Sequence, residues 1–305
     1  RTTGRSCCST GSSPTAPTPD PDPVPAPSSV QQPVYVVLFT HIEDNTPAGD
    51  IASGVARSNY AKLRQGLIDM ATLARRYNVK WSLQPDWKFL LAAQTYEDAA
   101  MTASTGGKNV LRYLRDSFGT SIDPHSHENG GYNYTDVAWL LDELGVGGST
   151  VIGGHIWDPS LPQFQGWDRF RETLVGEKYP EASWRGDILI GSGTPNHVND
   201  PLVSGVWRPR DRDHYFEDDP AGNIVCVGAW HDGVPGVEAL VAARDAGQTP
   251  AGAFLTIQPG VVVQLVRPVP LRQRHRLGRG LRPVLGVLGV RRVVDVPELR
   301  QHRDG

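Results

Sequence analysis

The chain has 305 residues, 39% of them hydrophobic, with eight tryptophans and a formal net charge of −3. That length accommodates one large α/β domain or two small ones, and the apolar content supports a real core. A balance so near neutrality gives no whole-chain attraction for nucleic acid, and no run of about eighteen apolar residues is present to form a transmembrane helix.

Residues 1–33 are rich in Pro, Ser, Thr and Asp and cannot bury enough apolar surface to offset their ordering entropy, so they read as a disordered tether. Cys7 and Cys8 precede small polar residues, the tether and then a domain. Exported bacterial lipoproteins begin this way once the signal is removed, so export to the cell envelope or medium is expected, with a lipid anchor at Cys7 or Cys8. Three cysteines make no disulfide framework, and Cys226, within Ile-Val-Cys-Val-Gly, reads as an inert core thiol.

Residues 34–40, Val-Tyr-Val-Val-Leu-Phe-Thr, predict a strand buried on both faces. It runs into His41-Ile-Glu43-Asp44-Asn45. If the strand continues, His41 and Glu43 share a face, while Asp44 turns away or into the loop. The bland alternative is a turn cluster, because Asp-Asn-Thr-Pro is good turn chemistry. Residues 59–77 carry a helical stripe at Leu63, Leu67, Met70, Ala71 and Ala74. Residues 79–83 are strand-like, and Asp86 reads as the N-cap of a helix over 87–94.

A helix over 109–118 is followed by a short strand entering Asp-Pro-His125-Ser-His127-Glu-Asn-Gly-Gly. Residues two apart on a strand point to one side, so this pair presents two imidazoles to one point, as a divalent metal requires. A helix over 134–144 stops at Gly145, and strand candidates follow at 150–152, 187–190, 205–207, 223–230 and 253–257, with a helix at 237–246. This alternation predicts an α/β fold with mostly parallel strands, most economically a barrel.

Residues 260–305 change vocabulary. They lack Ala, Ser, Thr, Asn, Lys, Ile and every aromatic, yet hold 10 of the 25 arginines and 11 valines; outside them the chain has 20 basic and 30 acidic residues, a net −10. Bases that encode Val-Val-Val-Gln-Leu-Val-Arg-Pro-Val-Pro-Leu-Arg-Gln-Arg-His from residue 261 also encode, one place on, Ser-Ser-Ser-Ser-Ser-Tyr-Asp-Pro-Tyr-Leu-Tyr-Ala-Ser-Asp-Thr. A shift of reading frame near residues 258–261 accounts for the change; a basic tail for anionic polymers is the alternative.

Over residues 34–259 the layout resembles the polysaccharide deacetylase (NodB-like) family within the glycoside hydrolase/deacetylase superfamily, whose fold is an irregular (β/α) barrel. Thr40-His-Ile-Glu43-Asp44 stands where that family has Thr-Phe-Asp-Asp. Pro124-His125-Ser126-His127 stands for its His-Ser/Thr-x-x-His at shorter spacing. Trp207-Arg208-Pro209 resembles its Arg-Pro-Pro segment, with Arg210 for the second Pro. The family's late Leu-x-His is cut off at Leu255-Thr-Ile-Gln258. The resemblance implies that Asp44, His125 and His127 hold a divalent metal, Zn²⁺ by preference, with Glu43 as general base oriented by Arg208. It also implies an acetylated polysaccharide or cell-wall glycan as substrate, with Trp207, Trp157 and Trp230 as stacking candidates, though for each Trp core packing is the commoner role; His155, after Gly153-Gly154 at a strand end, and His41, on the face of Glu43, are the further candidate substrate contacts.

His41 could also replace a carboxylate as ligand or base. His197 and His231 read as loop hydrogen-bonders and His214 as part of a solvated Asp/Arg loop. Two other functions stay open: a glycoside hydrolase on the same barrel, pairing Glu43 or Asp44 with a distant carboxylate such as Asp158 or Glu217, and a non-catalytic glycan-binding surface protein.

Overall fold

A computed structural model describes residues 32–43, 45–155, 166–190, 205–228, 230–231, 233–251 and 254–259. The N-terminal tract with Cys7 and Cys8, the 260–305 tail, Trp157, Asp158, His197 and Asp44 lie outside the described residues.

The opening strand is two. β1 (Val34–Val36) pairs in parallel with β12 (Leu255–Pro259), and β2 (Phe39–Ile42) pairs in parallel with β3 (Ser82–Pro85). The expectation of burial on both faces holds for Phe39, Thr40 and Ile42 but not for β1, where Tyr35 and Val36 are 45% and 44% exposed. Tyr35 stacks on the equally exposed Phe254 with ring centroids 4.5 Å apart.

Helix α1 (Gly54–Arg76) starts earlier than the stripe predicts, because the Ser53 hydroxyl accepts the Ala56 amide and caps it. It buries Ala56, Tyr60, Arg64, Leu67, Ala71 and Ala74, one face at spacings of three and four. α2 (Trp87–Tyr96) is capped by Asp86 as expected, and the short α3 (Ala99–Thr102) by Asp98. α4 (Val110–Phe118) starts at the Asn109 cap and ends at Gly119 in the left-handed region. These helices pack with α5 (Tyr134–Glu143) over β2 and β3 to form the larger core cluster, which includes Leu67, Leu83, Phe89, Leu114 and Leu140.

β4 (Ser121–Ile122) adds in parallel to β3, and three residues beyond Ile122 a parallel bridge joins His125 to Gly153 of β5 (Val151–Gly153). β5 pairs with β8 (Ile188–Ile190), which pairs with β10 (Val225–Val227), all parallel; β9 (Val206–Trp207) closes that sheet antiparallel to β10. β6 (Leu174–Val175) and β7 (Ser183–Trp184) form a small antiparallel pair, and β11 (Trp230–His231) lies parallel to β12, with α6 (Gly233–Asp245) between them in sequence.

The described strands thus make four sheets in an α/β fold, parallel except for β9 and the β6/β7 pair, and their pairing does not close a barrel. Among the described residues no helix is long and apolar enough to cross a membrane.

One buried ion pair ties the helical layer together. The Glu97 carboxylate, at the end of α2, accepts from Tyr60 Oη at 2.8 Å, Arg64 Nε at 3.0 Å and the Val110 amide at 3.1 Å. Arg64 also donates to Thr105 Oγ1 at 2.9 Å. Burial and the Glu97 charge beside it push the Tyr60 phenol well above its ordinary range.

Candidate metal centre

Parallel pairing aligns the C-terminal ends of β2, β3 and β4. His41 stands level with Gln84, and Asp86 follows directly after β3. Asp123 fastens the chain that leads to His125: its carboxylate accepts from Ser82 Oγ at 2.5 Å and from Ser149 Oγ at 2.6 Å. His125 arrives fully buried beside His41, the ring centroids 4.4 Å apart.

Glu43, half exposed, faces both sides. Its Oε1 is 3.9 Å from His41 Nδ1 and its Oε2 is 3.3 Å from His127 Nε2. One donor atom each from His41, Glu43 and His125 fall within 4.8 Å of one another, a triad able to hold a metal ion. Two imidazoles and one carboxylate are the donor set of catalytic rather than structural zinc, which leaves ligand positions open.

His127 is 40% exposed and sits across Glu43 from His41, its ring centroid 4.8 Å from that of His125. Its loop is tightly held: Ser126 Oγ accepts the Glu128 amide at 2.9 Å, Trp87 Nε1 donates to Asn129 Oδ1 at 3.0 Å, and Trp87 stacks on Tyr132 at 4.8 Å. Glu128 takes the left-handed φ of +52° and its carboxylate pairs with Arg169 at 2.5 Å. Non-glycine residues in that region cost free energy and cluster near functional loops.

Gly154 closes the other flank. It has φ +74°, and a Cβ there would lie 2.4 Å from Cδ2 and Nε2 of His125 and 3.2 Å from His41 Cε1. Only glycine lets the end of β5 come this close to both rings.

Beside the centre lies a cavity of about 830 Å³ whose lining includes His127, Glu128, Tyr134, His155, Arg169 and Glu177. Its wall is anchored by Asp136 of α5. The Asp136 carboxylate accepts the amides of Asn133, Glu177, Lys178 and Tyr179 at 2.8–3.0 Å. His155 is buried edge-on to Phe170, and that burial, with the Arg169 charge second, pushes its pKa down to about 3. It is a neutral wall residue of the cavity.

The structure therefore brings together His41, Glu43, His125 and His127, with His155 one step behind in the cavity. It does not bring Arg208 to Glu43. That guanidinium makes a two-point contact with Asp218, with Nε 3.2 Å from Oδ1 and Nη2 3.1 Å from Oδ2, because an antiparallel bridge sets Pro209 opposite Asp218. Nor is Trp207 a sugar platform: it is 3% exposed and its indole donates to the Tyr215 carbonyl at 2.7 Å within the second core cluster. Glu217, weighed as a glycosidase partner, pairs with Arg210 at 2.7 Å. His214 pairs with Asp211 on a solvated loop, and Cys226 is a buried core thiol.

Sequence reasoning took Asp86 for a helix cap alone and passed over Gly154. Both sit directly after parallel strands, and that position was the available signal. No family model, no curated protein and no solved structure matches the chain.

Proposed function

We propose that the chain is a metal-dependent hydrolase that removes acetyl groups from a glycan, in the manner of the polysaccharide deacetylases it resembles. The observation that carries this reading is the convergence of His41, Glu43 and His125 donors within 4.8 Å at the C-terminal side of the parallel β2–β3–β4 sheet. The donor set favours Zn²⁺. An ion held there supplies Lewis acidity toward an amide or ester carbonyl.

The protein groups around it divide the remaining work. With Glu43 in the ligand set, the base role that the resemblance assigns to Glu43 passes to His127, which is partly exposed beside the cavity. Its imidazole takes the proton of the attacking water, and the Glu43 carboxylate at 3.3 Å stabilises the imidazolium that forms. A cavity of about 830 Å³ with charged and hydroxyl-bearing walls suits a saccharide better than an apolar ligand.

In the same reading the sheets are arcs of an irregular (β/α) barrel. The His125–Gly153 bridge links two of them, and the Thr256 hydroxyl lies 2.9 and 3.0 Å from the carbonyls of Gly205 and Gly228, its single proton shared between them, linking β12 to the segments around β9 and β10. Export and a lipid anchor at Cys7 or Cys8 belong to this proposal and rest on the N-terminal composition.

The test is zinc content together with acetate release from a panel of N- and O-acetylated glycans. About one equivalent of zinc, lost in His125→Ala, with acetate released only by the loaded protein, is the expected result. Glycan cleavage without metal would replace this reading with a glycoside hydrolase; glycan binding with neither metal nor turnover would leave a surface lectin.

A further inference from the structure

Asp86 plays no part in the chemistry above, yet it is the most deeply buried carboxylate beside the centre. It follows β3, between the strand end bearing His41 and Glu43 and the segment bearing His125. Its amide donates to the Ile42 carbonyl at 3.0 Å, and the His125 amide donates to the neighbouring Pro85 carbonyl at 3.4 Å. Backbone bonds thus tie it to both ligand-bearing segments.

Its two oxygens face different ways. Oδ1 accepts the Trp87 amide at 2.6 Å and caps α2, while Oδ2 lies 3.6 Å from Nδ1 of His125, with both side chains 0% exposed. A carboxylate closed off from water is stable only when charge or hydrogen bonds compensate it. The helix N-terminus does this on one side; the imidazole faces it on the other.

We propose that Asp86 is a positioning residue for the metal centre, holding the proton of His125 on Nδ1 so that Nε2 is the nitrogen presented to the ion. This rests on the reading that His41, Glu43 and His125 bind a cation. Three observations converge on it. The 3.6 Å contact falls on Nδ1 and not on Nε2. Gly154 lacks the Cβ that would stand 2.4 Å from Nε2, so no side chain at that position covers this nitrogen. Ionised, the half-exposed Glu43 and the buried Asp86 would together supply two negative charges, the number that offsets a divalent ion. Carboxylates that hold the second nitrogen of a ligating histidine fix its tautomer and orientation and raise its basicity.

The experiment measures zinc affinity by chelator competition on the full chain. Asp86→Asn and Asp86→Ser each retain a capping oxygen for α2 while removing the charge. Both are expected to bind zinc about 10–100-fold more weakly than the parent, with metal-free melting temperatures close to the parent's. In the zinc-loaded parent, tautomer-resolved ¹H–¹⁵N NMR is expected to find the His125 proton on Nδ1, a readout independent of how the variants fold. Parent-like zinc affinity in both variants, or zinc on Nδ1, overturns the role of Asp86 and leaves the metal site standing. A parent that binds no zinc overturns both.

Discussion

Replacing Gly154 with Ala tests the centre without replacing any proposed ligand. The new methyl meets two separate penalties. Holding an L-residue at φ +74° costs about 1–2 kcal/mol. The Cβ would also stand 2.4 Å from the His125 ring, which is fully buried and backed by Asp86, so the ring has nowhere to swing. Overpacking of this kind costs about 1–3 kcal/mol, for a combined loss of about 2–5 kcal/mol.

For a domain of this size that is a fall in melting temperature of about 5–15 °C. Gly106→Ala is the internal control. It has φ +65° but nothing within 4 Å of its would-be Cβ, so it carries the conformational penalty alone. Thermal unfolding of both variants, with zinc affinity measured in parallel, separates the terms. Gly154→Ala is expected to be clearly the less stable and to lose at least about tenfold in zinc affinity, as displaced ligands do; Gly106→Ala keeps parent affinity. Equal melting temperatures and equal zinc binding in the two would refute the close approach of β5 to the imidazoles.

Three further outcomes are expected. His155 is neutral in the fold because burial holds its pKa at about 3 against an ordinary 6.5, so the unfolded chain takes up the proton first. Its stabilising share is therefore whole above pH 6.5 and lost as pH falls toward 3; between pH 7 and 5 urea unfolding of the parent should lose about 2 kcal/mol more than His155→Gln, and equal losses would sink the assignment. Glu97→Leu strands the buried Arg64 guanidinium and should cost about 3–5 kcal/mol, much of it recovered in Arg64→Met/Glu97→Leu; a double variant no better than the single would show that charge is not the cause. Peptide mass mapping of the chain beyond residue 258, set against the gene sequence, decides the reading frame: an intact frame confirmed in the protein ends the proposed shift.

The histidines were legible because the chemistry of a strand end is local. His41 with Glu43, after an apolar β-branched run, and His125 with His127, after a short extended segment, announce themselves by a spacing of two. Although Asn109, read as the first helical residue, is the cap of α4, the strand–helix alternation, the Asp86 cap and the stop at Gly145 were readable for the same reason. Asp86 as a partner of His125 was not, because it depends on β3 lying between β2 and β4, an order that chain position does not encode. Arg208 was misassigned because its partner, Asp218, comes from the far side of a turn ten residues on. Trp207 differs from an exposed tryptophan only in what folds over it. The β6/β7 pair escaped notice because two-residue strands are too short to show a period.

The Asp136 carboxylate has a mechanical consequence. By gathering amides from the start of α5 and from residues 177–179, it makes the helix and that side of the cavity one rigid body. Any ligand arriving there meets a contour shaped in advance, so little of its binding energy is consumed in ordering the protein.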